Sequence, residues 1–256
     1  MSLLESKVIF LTGGTTGIGY ECAKAYCEQG ALLAIVSNDE KQVQEALERL
    51  GKNHLGIVAN VSIAKDVKRA IELTVDKYGR IDAIHNNAGI SEPSKTIEDT
   101  DEEEWNNVVN VNLKSVFLTA KYGIEWLKKS KGCILTTSSL VGEIGQEYHA
   151  AYAATKGGIN ALTKSMALDC AKHHIRVNAV CPAGVWTPML RKWSTEQSNA
   201  SSIEKYLDDI HPLGYCPEGD VVADVCVFLL SNKARFITGC LMPVSGGAEL
   251  GYKRIN

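Results

Sequence analysis

Short, unbroken apolar runs alternate along this chain with longer stretches whose apolar residues recur at helical spacing. "KVIFLT" (7–12), "LLAIV" (32–36), "GIVAN" (56–60), "IDAIHNN" (81–87), "GCILTTS" (132–138), "IRVNAV" (175–180) and "LMPVSGG" (241–247) read as buried strands. Between them, "GYECAKAYCEQG" reads as a helix stopped at Gly30, and "EKQVQEALERL" places Val43, Ala46, Leu47 and Leu50 on one face. "AKDVKRAIELTVDKYG" is a third helix ending near Gly79, and "AYAATKGGINALTKSMALDCA" a long one. Strands apolar on both faces, alternating with helices, predict an α/β, doubly wound Rossmann fold: a seven-stranded parallel sheet covered by helices on both sides. No linker, repeat or low-complexity segment interrupts the pattern, so one domain over 1–256 is expected.

Composition narrows the class. A net charge of −3 gives no electrostatic case for nucleic acid or an anionic membrane. No apolar run approaches the roughly 20 residues of a membrane span. The start, "MSLLESKVIF", lacks the basic-then-apolar order of a signal peptide. The eight cysteines form no Cys-x-x-Cys pair and none clusters with His at ligand spacing, so buried free thiols, a cytoplasmic protein and no metal site are expected. The acidic run "EDTDEEEW" (98–105) reads as a helix N-terminus capped by Thr100 or Asp101.

"TGGTTGIG" (12–19) follows the first strand and opens the first helix. Its glycines Gly13, Gly17 and Gly19 suit a tight turn that brings backbone N–H groups to a dinucleotide pyrophosphate, although an empty turn of the same shape fits the spacing too. "NNAG" ends the fourth strand and Ser139 follows the fifth, at the strand ends that line a doubly wound crevice. Asn112 lies in the helix-like "VNVNL", where Asn is a poor helix former. Tyr152 and Lys156, four apart, share a helix face. A neighbouring ammonium lowers a phenol's pKa from near 10 and makes it a workable acid or base.

In this order the motifs resemble the short-chain dehydrogenase/reductase family over nearly the whole chain, through "NNAG", "VNVNL", "TTSSLVGEIGQ", "YAATKGG", "IRVNAVCPAGVWTPM" and "PLGYCPEGDVV" to "LMPVSGG". The resemblance implies an NAD(P)-dependent oxidoreductase moving hydride between a nicotinamide and a secondary alcohol or carbonyl. It assigns the acid–base to Tyr152, the ribose-holding and pKa-lowering ammonium to Lys156, substrate-oxygen orientation to Ser139 rather than Ser138, and the proton-relay asparagine to Asn112. It places cofactor contacts at Gly13, Thr15, Thr16, Gly17, Ile18, Gly19, Ser37, Asn38, Asn60, Val61, Asn87, Ala88, Gly89, Tyr152, Lys156, Val185 and Thr187. "SSLVGEIGQ", "VWTP" and "GGAELGY" resemble the L-fucose dehydrogenase and type-14 17β-hydroxysteroid dehydrogenase group, which puts Gln146 and Trp186, with Ser139 and Tyr152, beside a sugar or steroid. His149 either joins that pocket or sits on the surface at a helix start. A homotetramer is expected by the same resemblance.

Some positions depart from the family pattern. Ser37 and Asn38 stand where an acidic residue signals NAD, with Asp39 following; without a nearby cation, NAD is favoured over NADP. Asn60 replaces an adenine-binding Asp, and its amide oxygen is expected to accept from the adenine amine instead. "CPAG" puts Ala183 where Gly is usual. The polar segment from Leu190 to about Pro212 reads as an irregular substrate loop. A 3-oxoacyl carrier-protein reductase-like enzyme, a non-catalytic NAD(P) sensor and a methyltransferase on a similar fold are the alternatives.

Overall fold

The computed structural model describes residues 2–251 apart from Lys52 and Ser198, and leaves out the side chains of Ala200 and Ser201. Seven strands form one sheet: β1 (Val8–Thr12), β2 (Leu32–Ser37), β3 (Leu55–Val58), β4 (Ala83–Asn86), β5 (Cys133–Thr137), β6 (Arg176–Pro182) and β7 (Leu241–Val244). Their order is β3-β2-β1-β4-β5-β6-β7, with every pairing parallel. The helices are α1 (Gly17–Glu28), α2 (Glu40–Leu50), α3 (Ala64–Tyr78), α4 (Glu102–Val108), α5 (Ser115–Ser130), α6 (Val141–Ile144), α7 (Ala150–Ala171), α8 (Pro188–Glu196), α9 (Ala200–Asp209) and α10 (Asp220–Leu230).

The unbroken apolar strands serve two cores. Ile9 and Leu11 of β1 and Leu33 and Ile35 of β2 pack with Cys22 and Tyr26 of α1 and Val222 and Cys226 of α10. The alternate residues Phe10, Ala34 and Val36 turn to the other face, against Val67 and Ile71 of α3, Leu118 and Leu127 of α5 and Ala167 and Cys170 of α7. Successive strand side chains point to opposite faces, so only a strand apolar at every position can feed both layers. Chain order reverses between β1 and β4, and the glycine loop and "NNAG" leave the sheet there, side by side at the strands' carboxyl ends.

Three local expectations need correction. The third strand ends at Val58, because Asn60 turns back on Ser62. The segment after Leu190 is not irregular: it holds α8 and α9. Thr187 caps α8 by accepting from the Leu190 N–H at 3.1 Å, Pro188 occupies the first turn, and Ile203, Tyr206 and Leu207 recur at helical spacing in α9. Those signals stood in the sequence beneath its polarity. Asn112 lies in neither a plain α-helix nor a break, but in a π-helical turn (Val109–Lys114) joining α4 to α5. The acidic run does open α4, with Asp101 rather than Thr100 as N-cap and Glu104 accepting from the Asp101 N–H at 3.2 Å.

Candidate functional site

At the head of the site, Gly13 has φ +64° and its Cα faces the Ala88 backbone; a Cβ there would lie 2.8 Å from the Ala88 Cα. A Cβ on Gly19 would collide with the Gly13 carbonyl. Only glycines let the loop pass this closely. No side chain caps α1 and its first turn carries no acidic residue, so its leading N–H groups remain for an anion. Gly17 abuts the Thr187 side chain, which draws the start of α8 to the loop. Thr15 donates to Gln42 at 3.0 Å, Thr16 is exposed, and Ile18 is half-buried beside α10.

Asn87 is locked from three sides. Its amide donates to Gly13 O at 2.9 Å, its N–H donates to the Thr12 hydroxyl at 3.1 Å, and its amide oxygen accepts from the Thr137 hydroxyl at 3.1 Å. Ala88 N–H also donates to Thr12 Oγ1, at 3.2 Å. With its proton given to Asn87, Thr137 Oγ1 accepts from His85 Nε2 (3.0 Å), and His85 Nδ1 accepts from the Tyr26 hydroxyl (2.9 Å). This buried chain of hydrogen bonds reaches Cys22 and Cys226, whose sulfurs lie within 4.8 Å of a His85 nitrogen and of each other. Cysteines that do not cluster with His along the sequence therefore do so in space.

Deeper in, Asn112 clamps the chain after "NNAG": its oxygen accepts from Ile90 N–H at 2.8 Å and its amide donates to Ile90 O at 2.8 Å and Thr155 Oγ1 at 3.3 Å. Gly89 passes between this amide and the Lys156 ammonium, and a Cβ there would sit 3.5 Å from Asn112 Oδ1 and 3.8 Å from Lys156 Nζ. Lys156 donates to Thr137 O at 2.8 Å and lies 5.3 Å from the Tyr152 ring centroid. Tyr152 is half-buried, and Ser139 is among the groups that act on its phenol. Burial pushes the phenol up to about 12, against the help of Ser139, and brings the Lys156 ammonium down to about 8. For the protein alone, desolvation dominates both groups. Ser138 turns inward, donating to Asn160 Oδ1 at 2.6 Å, while Ser139 makes only long contacts of 3.4 Å with Pro182 O and Val141 N.

The outer positions divide. Trp186 is half-buried under the Arg191 guanidinium, 4.9 Å from its ring, and Arg191 pairs with Glu218 at 2.7 Å. Val185 is buried. His149 is buried as well, which excludes a surface histidine; Nδ1 donates to Glu147 O at 3.0 Å and Nε2 meets the Ser94 hydroxyl at 3.3 Å. Gln146 is exposed between α6 and α7. Ser37 Oγ accepts from Asp39 N–H at 3.3 Å, Asp39 caps α2 through Gln42 N–H at 3.0 Å, and Asn38 is exposed. Val61 is buried. Asn60 differs from expectation: its oxygen already accepts from Ser62 N–H at 2.9 Å and Ser62 Oγ at 2.7 Å. Both lone pairs are taken, so the group left to offer is the amide N–H, a donor. Tyr252, at the end of "GGAELGY", lies outside the described residues.

The family model described as enoyl-(acyl carrier protein) reductase, one of the short-chain dehydrogenase/reductases, matches residues 13–249. The chain belongs to the short-chain dehydrogenase/reductase family. It is 37% identical to L-fucose dehydrogenase of Mus musculus over 98% of this chain and 91% of the relative. It is 36% identical to a 3-oxoacyl-acyl-carrier-protein reductase of Thermotoga maritima over 95% of this chain and 98% of that one. Among solved structures, 3-ketoacyl-acyl-carrier-protein reductase of Brucella melitensis, complexed with NADH, superposes with a TM-score of 0.88 at 31% identity, covering 96% of this chain and 99% of that one. As a short-chain dehydrogenase/reductase, the chain is an NAD(P)-dependent oxidoreductase of CH–OH and carbonyl groups. One residue at this short-chain dehydrogenase/reductase site went unseen in the sequence: Glu92, buried against the first turn of α7. A lone acidic residue in a loop carries no local signal, because its partner lies 60 residues away.

Proposed function

We propose that this enzyme oxidises a secondary hydroxyl of a sugar, or reduces the matching carbonyl, with NAD as its hydride carrier. The observation that carries the reading is the meeting of Ser139, Tyr152, Lys156 and Asn112 beside the glycine loop at the carboxyl ends of the strands. The uncapped start of α1 and the glycine cradle fit a pyrophosphate. Bound there, NAD⁺ would supply the hydride acceptor. Tyr152 takes the hydroxyl proton as hydride leaves the carbinol carbon, Ser139 holds the substrate oxygen, and Lys156 with Asn112 passes the proton on. Trp186 and α8–α9, the revised form of the substrate loop, border the substrate with His149 and the exposed Gln146. The sugar preference rests on the likeness to the mouse L-fucose dehydrogenase, and the absence of a cation at Ser37 and Asn38 favours NAD over NADP.

A homotetramer in the cytoplasm completes the proposal. Val109, Leu113 and Phe117 form with Ala161 and Leu162 of α7 an apolar face that a second copy would cover. The described cysteines are free thiols, and no described helix is long and apolar enough to cross a membrane. Light scattering after size exclusion reads the assembly. The activity test is a panel of L-fucose, related aldoses, 17β-hydroxysteroids and a 3-oxoacyl thioester, followed at the NADH absorbance band, with Tyr152→Phe alongside. Turnover of sugars that Tyr152→Phe abolishes supports the reading. Turnover of the thioester alone replaces it with the acyl-reductase function, and full activity in Tyr152→Phe removes the mechanism.

A further inference from the structure

The loop following "NNAG" is tied to the start of α7 at three points. Lys95 N–H donates to Tyr148 O at 3.1 Å, the Ser94 hydroxyl meets His149 Nε2 at 3.3 Å, and Glu92 Oε1 accepts from Tyr152 N–H at 3.0 Å. The third tie is the most unusual. Glu92 is only 7% exposed, and its second oxygen, Oε2, is buried with no hydrogen-bond partner among the described residues. Buried carboxylates are ordinarily paired with a cation or fully hydrogen-bonded. Here the compensation is the N-terminus of α7: Tyr152 is its third residue, and that N–H has no acceptor within the helix.

We propose that Glu92 is a positioning residue for Tyr152, anchoring the turn of α7 that carries the phenol and placing a buried carboxylate against that turn. The inference rests on the proposed acid–base role of Tyr152. Four polar groups face that residue or flank it. Lys156 comes from α7 itself, His149 is its N-cap residue, Ser139 follows β5, and Glu92 lies on the loop after β4. His149 is engaged by Ser94 and Glu147. Burial raises the phenol most, the Ser139 hydroxyl lowers it, and the charge of Glu92 pushes it further up. A buried carboxylate at this place thus favours the proton-bearing phenol, while its other oxygen keeps the tyrosine backbone in register.

Glu92→Gln separates the two effects, because an amide oxygen still accepts from Tyr152 N–H but carries no charge. The readout is the pH profile of kcat/KM for alcohol oxidation, with NAD⁺ affinity measured by calorimetry as a control. The limb on which activity rises with pH should move down by roughly half to one pH unit in Glu92→Gln, with NAD⁺ affinity unchanged. Glu92→Asp keeps the charge but shortens the reach; its limb should stay in place while kcat falls several-fold. It also carries the test if the Gln variant does not fold. A Gln profile that superimposes on the native one, or an Asp limb that shifts down, overturns the proposal. Tyr152→Phe, run in parallel, tells the failures apart: native turnover in that variant sinks the acid–base reading itself, whereas an inactive Phe variant with an unmoved Gln profile sinks only the role of Glu92.

Discussion

The Lys156 ammonium donates to the Thr137 carbonyl at 2.8 Å, not to the Tyr152 phenol four residues back on the same helix. Burial holds it at about 8, below the ordinary 10.5. A lysine depressed in this way costs the fold stability while it is charged. The penalty is complete below about pH 8 and fades as pH rises towards 10.5, since the unfolded chain then binds the proton that the folded one has lost. Replacing Lys156 with Met should therefore gain stability relative to the native protein most at neutral pH. The difference should shrink by up to about 3 kcal/mol between pH 7.5 and 10. Urea unfolding of both proteins across that range measures it; parallel curves would contradict the buried charge. Activity in the Met variant should fall at least 100-fold.

Ser138 and Ser139 are neighbours with opposite commitments. Ser138 is bonded inward to Asn160 at 2.6 Å, whereas the Ser139 hydroxyl has only long backbone contacts besides Tyr152. Ser138→Ala should lose about 1–3 kcal/mol and lower Tm by several degrees, with kcat within about threefold of native. Ser139→Ala should leave Tm unchanged and lower kcat/KM by about 100-fold. Thermal melts and steady-state kinetics on the pair decide it, and the reverse pattern would move the substrate contact to Ser138.

How much could be read in advance follows from how far apart the interacting residues are. β1 was legible because Val8–Thr12 is buried at every position, and a strand with two covered faces must be apolar throughout. Tyr152 and Lys156 were legible because helical spacing alone puts them on one face. The π turn at Asn112 was not, since it accompanies a clamp on Ile90 from 22 residues away. Glu92 was invisible for the same reason. So was the meeting of Cys22, His85 and Cys226, which three separate elements bring together. The helices α8 and α9 were legible but hidden by polarity: Thr187 and Pro188 announce the first, while the polar composition of 190–212 masks both.

Asn60 changes which purine the site should prefer. Its amide oxygen is spent on Ser62, so an adenine amine brought against Asn60 would meet an N–H donor with a second donor. Two donors facing one another gain nothing. A 6-oxo purine supplies an acceptor instead. Nicotinamide hypoxanthine dinucleotide should bind at least as tightly as NAD⁺, and Asn60→Asp should swing the ratio towards NAD⁺ by about tenfold. Calorimetric titration with both dinucleotides reads this without turnover. A native protein that prefers adenine as strongly as the Asp variant would show that Asn60 does not meet the base.

The residues at the end of β2 bear on the choice between the two nicotinamide cofactors. Ser37 is tied to Asp39 N–H, Asp39 is held at the start of α2 by capping Gln42, and Asn38 alone is exposed there. A 2′-phosphate arriving at this place would meet the Asp39 carboxylate and no cation at residues 37–39, so NAD⁺ should exceed NADP⁺ in kcat/KM by tenfold or more. Asn38→Arg supplies the missing guanidinium at the exposed position, without disturbing the Asp39 cap. It should raise kcat/KM for NADP⁺ at least tenfold, with a gain that weakens as salt is added, because an exposed pair is screened. Kinetics with both cofactors at two ionic strengths measure the effect. Equal use of the two cofactors by the native enzyme would show that the Asp39 carboxylate does not reach the ribose, and a gain in Asn38→Arg that is insensitive to salt would mean that the phosphate is held elsewhere.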